Sequence, residues 1–327
     1  MPAAAMAERL RVATYHAGLS RKGPGLMMRD VLKGEEQATA ALDTIVAAAP
    51  DVVLLLDVDW DAGGAALDAV ADALAERGVD YPYRLAPRPN SGRPSGFDLD
   101  GDGRTHRARD ALGYGRFTGD GGLALLSRHP LGAPRDLSDI LWADRDDVTG
   151  LLPEGAGAVV PLATIGQWVV PLEVGGTRLT LITLAAGTPV FDGPEDRNGR
   201  RNAAELALVA ELVSEVDHPV VLGRANVDPV DGEGDRDALA ALLDHPALRD
   251  PEPRGAGGGG DGHAGDPALD TVDWEGPGPL RVDYVLPARD LAVTAAGVDW
   301  PDPDDPRREI VETAGSGRLV WVDLTLP

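Results

Sequence analysis

Short apolar runs alternate with amphipathic stretches along nearly the whole chain. Residues 52–56 and 220–222 are continuously apolar, which is typical of strands buried on both faces. Apolar positions recur near a spacing of 3.6 over 27–49, 65–77, 203–216 and 235–243, which predicts helices. The remaining predicted strands are 10–15, 81–86, 123–126, 168–174, 178–184, 280–286, 291–298 and 318–324.

Strands that each lead into a helix or a hairpin favour an α/β fold, here a two-sheet α/β sandwich with helices on the outside. We expect a single domain over residues 1–327, with long loops at 87–121 and 254–266. The glycine run at 255–265 is low in complexity, and we expect it to be mobile.

Composition excludes several classes of function. The chain has 327 residues, of which 43% are hydrophobic, so a sizeable core is possible. Its net charge of −24 opposes binding to nucleic acid, and the lack of cysteine excludes disulfides and thiol chemistry. No apolar run approaches the roughly 18 residues of a membrane span, and the N-terminus lacks the apolar core of a signal peptide. We therefore expect no membrane partner and a cytoplasmic location.

Five sequence blocks and one strand end resemble a known family. The blocks are PSGFDLDGDGRT (94–105), ALLSRHPL (124–131), PVFDGPEDRNGRRN (189–202), DPALDTVDW (266–274) and RVDYVLPAR (281–289), and the strand end is PVVLGRANVDP (219–229). They resemble the endonuclease/exonuclease/phosphatase family, metal-dependent phosphoesterases related to DNase I, and most closely a secreted-type bacterial branch of it. The resemblance spans nearly the whole chain and implies the DNase I-like sandwich.

The resemblance also implies a catalytic site that this chain has largely replaced. The family uses Asn, Glu, His, Asp-x-Asn and a terminal Ser-Asp-His, with oxygen ligands suited to Mg²⁺. Here His16 stands for the Asn, Asp57 for the metal-binding Glu and Arg224 for the Asp, whereas Asn226 is retained. The other replaced positions hold Gln167, Ala185 and the segment Gly315-Ser316-Gly317. We predict that ordinary metal-dependent nuclease or phosphatase activity is lost.

His16, Asp57, Arg224 and Asn226 are the predicted catalytic residues of a metal-independent enzyme. In this hypothesis Arg224 and Asn226 bind a small anionic ligand, a phosphate or sulfate ester. His16 or Asp57 acts as acid or base in elimination, displacement or cyclisation. Because a buried arginine needs a partner, we expect the Arg224 guanidinium to lie within hydrogen-bonding reach of Asp57.

Other interpretations of these residues stay open. In one interpretation the site is inactive, Arg224 is a surface residue, and His16 has only a packing role. The chain is in that case a non-catalytic binding or scaffolding protein, with a protein subunit as its partner. A third interpretation is a weakened metal-dependent phosphodiesterase.

The block at 189–202 supplies four predicted substrate-binding residues, Arg197, Asn198, Arg200 and Arg201. Guanidinium groups bind oxyanions through paired donors, so these side chains suit a pocket for an anion. The alternative is that the block is a folding element, a turn followed by the N-terminus of a helix.

Asp98, Asp100 and Asp102 have the spacing of a calcium-binding loop, with Gly103 at the sixth position. The twelfth position is Arg109 rather than the glutamate of an EF-hand. We weigh a structural Ca²⁺ site against a solvated acidic turn, and we predict that the chemistry itself needs no cofactor.

Overall fold

The computed structural model describes residues 8–258 and 263–326, and within them it forms two β-sheets flanked by helices. The first sheet has the order β12 (Ala292–Val298), β13 (Val320–Thr325), β1 (Arg9–His16), β2 (Val52–Val58), β4 (Gly122–Ser127) and β3 (Tyr83–Leu85). The second has the order β11 (Asp283–Pro287), β8 (Pro219–Arg224), β7 (Thr177–Ala185), β6 (Trp168–Val174) and β5 (Arg135–Asp136). A separate hairpin pairs β9 (Val272–Trp274) with β10 (Gly278–Leu280). The helices are α1 (Leu26–Lys33), α2 (Glu36–Ala48), α3 (Ala65–Glu76), α4 (Arg197–Ser214), α5 (Arg236–Leu243) and α6 (Arg307–Ala314).

The alternation of side chains along each strand builds the layers. Leu54 of β2 lies in the core between the two sheets, together with Leu222 of β8. Leu55, one residue later, faces the opposite side and packs in the cluster that contains Ile45 of α2. On the outer face of the second sheet, Leu206 of α4 belongs to a third cluster. The expected two-sheet α/β sandwich with outer helices is therefore confirmed.

The prediction of one helix over 27–49 is wrong, because the chain forms α1 and α2 there. Gly34 ends α1 in the left-handed region at φ 65°, a conformation that glycine adopts without steric cost. The Glu35 side chain then caps α2 by accepting a hydrogen bond from the Ala38 N–H. The 3.6 periodicity resumes in register after this break, so the sequence pattern does not show the interruption.

Other elements also differ from the prediction. The strand expected at 280–286 divides into β10 and β11, and the hairpin partner β9 and helix α6 were not anticipated. Helix α4 begins at Arg197 rather than at 203, so the arginine-rich block forms its first turns. Of the glycine run, residues 259–262 lie outside the described residues.

No helix in the described part of the chain is long and apolar enough to span a membrane.

Strand pairing gathers polar residues at one end of the sandwich. Strands β1 and β2 are parallel with His16 opposite Leu56, so Asp57 follows immediately at the same edge. In the second sheet β7 and β8 are also parallel, with Ala185 opposite Arg224. The carboxyl ends of these four strands carry the candidate site.

Candidate functional site

His16 and Asp57 line one cavity of about 510 Å³ at the ends of β1 and β2. Asp57 has a left-handed backbone, with φ 61°, and lies at a bulge where the register between β2 and β4 shifts. Aspartate tolerates this conformation better than most residues, and such backbone strain concentrates at functional sites. The bulge therefore turns the Asp57 carboxylate out of the regular alternation of the strand and into the cavity wall.

Arg224 is held by Asp283 across the neighbouring strand. The two residues are directly paired in the antiparallel register of β8 and β11. Nε of Arg224 donates to Oδ1 of Asp283 at 2.8 Å, and Nη2 donates to Oδ2 at 2.7 Å. The side chains are 6% and 0% exposed, respectively. The Trp274 ring of β9 lies 5.6 Å from the guanidinium carbon.

The expectation that Arg224 pairs with Asp57 is wrong. The guanidinium donates two of its N–H groups to Asp283, because a cross-strand carboxylate offers the parallel two-bond geometry that arginine favours. The partner that a buried arginine requires is thus present, but it is supplied by β11 rather than by the tip of β2.

The environment shifts the two titratable groups of the cavity in opposite directions. Burial raises the pKa of Asp57 to about 6, and the Asp59 carboxylate adds to the rise while the Arg224 charge opposes it. Burial lowers the pKa of His16 well below its ordinary 6.5, and the Arg224 charge lowers it further. Within residues 8–258 and 263–326, no other side chain hydrogen-bonds to either group. At neutral pH the cavity therefore contains an uncharged imidazole beside a carboxyl group whose pKa is raised to about 6.

Asn226, the retained family residue, supports the end of β8. It has a left-handed backbone with φ 58°, and its Nδ2 donates to the Ala186 carbonyl at 2.8 Å. Gln167, which stands for a family histidine, is 5% exposed, and its Nε2 donates to the Thr183 carbonyl at 2.7 Å. Both amides thus stabilise backbone near the site, and the described contacts give neither of them a link to His16 or Asp57.

The four predicted substrate-binding residues lie in the first turns of α4. Arg201 donates to three backbone carbonyls at 2.7–2.9 Å, and Arg197 donates to the Leu99 carbonyl. Asn198 donates to a carbonyl at 2.8 Å, and exposed Arg200 forms an ion pair with Asp146 at 3.9 Å. These contacts join α4 to neighbouring loops and suit the folding-element interpretation. A role in binding substrate stays a prediction.

The side-chain oxygens of Asp98, Asp100 and Asp102 lie within 4.8 Å of one another. The backbone N–H groups of Asp102 and Gly103 donate to the Asp98 carboxylate at 3.0 and 2.8 Å. In the described ranges this is the only set of three potential ligands close enough to hold one metal ion. The loop has the donors that Ca²⁺ prefers, and calcium binding there stays a prediction.

The residues at the strand ends do not fit the divalent metal that the resemblance implies. Hard cations are held by several oxygen ligands around one point, and in the described part of the chain Asp57 belongs to no group of three close Asp, Glu or His ligands. Arg224 lies close enough to Asp57 for its positive charge to lower the pKa of that carboxyl group. Asp283, the acid on the facing strand, already accepts two hydrogen bonds from Arg224 and is therefore not free to bind a metal.

The sequence did not predict the contacts that two residues make at the site. Asp283 is a fully buried acid that interrupts the buried run from Val282 to Pro287. A single acid in such a run indicates a buried cationic partner. Gly317 packs so closely on β1 that a Cβ built there would lie 2.5 Å from the His16 carbonyl oxygen. The need of Asp283 for a cationic partner could have been predicted from the strand pattern, whereas the close packing of Gly317 depends on tertiary contacts.

Comparison with known proteins now assigns the chain to a family. The model of the Endonuclease/Exonuclease/phosphatase family matches residues 28–316. The chain belongs to this family. A search of curated proteins finds no match.

Solved structures agree with this assignment at the level of the fold. The chain is similar to an endonuclease/exonuclease/phosphatase from Beutenbergia cavernae, with 20% identity, a TM-score of 0.61, and coverage of 97% of this chain and 72% of that one. It is also similar to sphingomyelinase C from Streptomyces griseocarneus, with 18% identity, a TM-score of 0.52, and coverage of 97% and 99%. At these identities the likeness shows the DNase I-like fold alone.

Proposed function

We propose that this family member is an enzyme that cleaves a small ester without a metal ion, in the cavity lined by His16 and Asp57. The observation that carries the proposal is the presence of an imidazole and a carboxyl group on the wall of one cavity, with pKa values shifted in opposite directions. Pairs of titratable groups shifted in this way commonly divide the roles of acid and base.

The charges around the cavity suggest an ester of low net charge rather than the anionic ester expected from the sequence. Arg224 is neutralised by Asp283. Arg21, on the cavity wall, is paired with Asp30 at 2.9 Å and with Glu35 at 3.2 Å. Little free positive charge is left to bind an anion, and the Asp57 carboxylate would repel one.

His16 and Asp57 have distinct roles in this proposal. His16 is neutral at pH 7, because its pKa is lowered, and it accepts a proton from the attacking group. The protonated fraction of Asp57, which is appreciable near its pKa of about 6, donates a proton to the leaving oxygen. Turnover should therefore decline as the pH rises above about 6.

The test compares three substrates in the presence of EDTA: p-nitrophenyl acetate, bis-p-nitrophenyl phosphate and p-nitrophenyl sulfate. We expect the neutral acetate to be cleaved fastest and EDTA to have no effect. His16→Gln and Asp57→Asn should each lower kcat/KM by about 10²-fold or more. The exposed residues His106 and Asp304 offer matched controls, and His106→Gln and Asp304→Asn should leave the rate unchanged.

Two results would contradict the proposal and point elsewhere. Turnover of the phosphodiester that EDTA abolishes and Asp57→Ala removes would identify a weakened metal-dependent hydrolase. No turnover of any ester, together with saturable binding of small molecules in the cavity, would identify a binding protein. The buried Arg224–Asp283 pair favours this second candidate, because it fills the family's catalytic position with a pair that is already neutralised.

A further inference from the structure

Ser316 lies on the wall of the same cavity as His16 and Asp57. It stands between two glycines, in the segment that joins α6 to β13. The reaction proposed above assigns an acid and a base, but its attacking group is not yet identified. The half-buried hydroxyl of Ser316, on the wall of the same cavity, is a candidate for the attacking group.

Tertiary contacts fix the position of Ser316 relative to His16. The adjacent Gly317 packs on the end of β1, where a Cβ built on it would lie 3.2 Å from the His16 Cβ. The residue after the serine thus touches the residue that bears the imidazole.

The segment that carries Ser316 is held by its backbone on both sides. The Ser316 carbonyl accepts from the Asp273 N–H at 2.9 Å, and Gly317 bridges to Val272 of β9. The buried Arg318 side chain donates to the Gly315 carbonyl at 2.5 Å and to the Gly317 carbonyl at 3.3 Å. A reactive group is best placed on backbone that is fixed in this way.

The Ser316 hydroxyl and the neighbouring backbone N–H groups take part in none of the contacts just described. In the described ranges, no residue pairs with its hydroxyl, and no carbonyl or side chain accepts from the backbone N–H of Ser316 or Gly317. Unpaired N–H groups beside a hydroxyl are the donors that stabilise the oxyanion formed when the hydroxyl attacks an ester.

We infer that Ser316 is the nucleophile of this ester cleavage and that His16 is the base that takes its proton; the inference rests on the proposed function. Oγ of Ser316 forms a bond to the electrophilic carbon of the ester, and its proton passes to His16. The bond between that carbon and the leaving oxygen breaks, and the leaving oxygen takes the proton of the Asp57 carboxyl group, so that an alcohol and an acyl-serine result. Water then attacks the acyl-serine and gives a proton to the Asp57 carboxylate, while the serine oxygen leaves with the proton held by His16. The products are a carboxylic acid and the regenerated serine.

Labelling with an alkyl fluorophosphonate tests the assignment without knowledge of the substrate. In this reaction the serine oxygen bonds to phosphorus, fluoride leaves, and the serine proton passes to His16. We expect one adduct on the full-length chain in EDTA, located at Ser316 by peptide mass mapping. Ser316→Ala should abolish the adduct, and His16→Gln should slow its formation by about 10²-fold or more.

Ser214 provides a matched control, because its hydroxyl lies 3.1 Å from Nε2 of His245 on the protein surface. Ser214→Ala should leave labelling unchanged, since a serine beside a histidine is not sufficient outside the cavity. A second variant, Ser316→Cys, introduces the only thiol, because the chain has no cysteine. Iodoacetamide should alkylate this thiol faster than the thiol of Ser214→Cys, and His16→Gln should remove the difference.

Two results would overturn the assignment. One is equal labelling of the unmodified chain and the Ser316→Ala variant. The other is no label on Ser316 combined with equal alkylation of the two introduced thiols. If EDTA-resistant ester turnover still depends on His16 in either case, the nucleophile is wrong and the proposed function stands; if that turnover is also missing, both fail.

Discussion

Replacing Arg224 by methionine probes the buried ion pair at the end of β8. Arg224→Met keeps an unbranched side chain of similar reach but removes both hydrogen bonds to Asp283. The Asp283 carboxylate is 0% exposed, so it cannot exchange these donors for bulk water. Removing one partner of a buried pair typically costs about 3–5 kcal/mol, and we expect a loss of stability in that range.

A surface ion pair supplies the control. Arg135 and Glu215 approach to 2.6 Å, but each side chain is 50% exposed. Exposed pairs contribute about 0–1 kcal/mol, so Arg135→Met should change the free energy of unfolding by no more than that. The two variants remove the same guanidinium group and differ in its burial.

Urea unfolding followed by tryptophan fluorescence measures both effects, since a change of midpoint at constant slope reports a change of stability. The double variant Arg224→Met/Asp283→Leu should recover most of the loss, because apolar side chains often replace a buried ion pair without cost. The expected stabilising role of the pair is wrong if Arg224→Met lowers the free energy of unfolding no more than Arg135→Met does. It is also wrong if the double variant is less stable than Arg224→Met.

Three further predictions concern the pKa of Asp57, the packing of Gly317 and the acidic loop. The pKa of Asp57 is raised from 3.8 to about 6 on folding, so the stability that it contributes at low pH is lost as the pH rises from about 4 to about 6. Asp57→Asn should remove this pH dependence of the free energy of unfolding, which amounts to at most about 3 kcal/mol. Equal pH profiles of unfolding for the unmodified chain and the variant would contradict the prediction. Gly317→Ala places a Cβ 2.5 Å from a carbonyl oxygen and should destabilise by about 1–3 kcal/mol, whereas Gly276→Ala enters open space and should not; equal urea midpoints would count against the packing argument. Calorimetry with CaCl₂ should show one site with Kd of about 10⁻⁴–10⁻³ M that Asp100→Asn weakens, and an absence of binding heat would exclude the site.

The fold was accessible from the sequence because its strands and helices carry strong periodic signals. The apolar runs at 52–56 and 220–222 became the centres of β2 and β8, as expected for strands with a sheet neighbour on each side. The break between α1 and α2 was not accessible. It depends on a left-handed Gly34 and a capping Glu35 inside a pattern that keeps the helical period.

The candidate site was accessible only in part. The sequence placed His16, Asp57 and Arg224 at strand ends, and parallel pairing within each sheet brings such ends together. It did not identify the partner of Arg224, because Asp283 is 59 residues away and faces it only through the register of β8 with β11. Local patterns carry no information on which of several buried acids an arginine will meet.

Arg201 illustrates the same limit. Its charge and its place beside other arginines suggest an anion site, yet its guanidinium is used by backbone carbonyls of two neighbouring loops. A guanidinium binds carbonyls and oxyanions through the same donors, so the residue type does not distinguish the two roles.

We propose that the buried Arg224–Asp283 pair takes the place of the family's metal, so that the site works without one. A crystal structure of the full-length protein grown with MnCl₂ tests it most directly, since manganese is located by its anomalous scattering. We expect no anomalous peak beside Asp57 and a guanidinium that donates two hydrogen bonds to Asp283. A manganese ion bound to Asp57, with Arg224 displaced from Asp283, would contradict it.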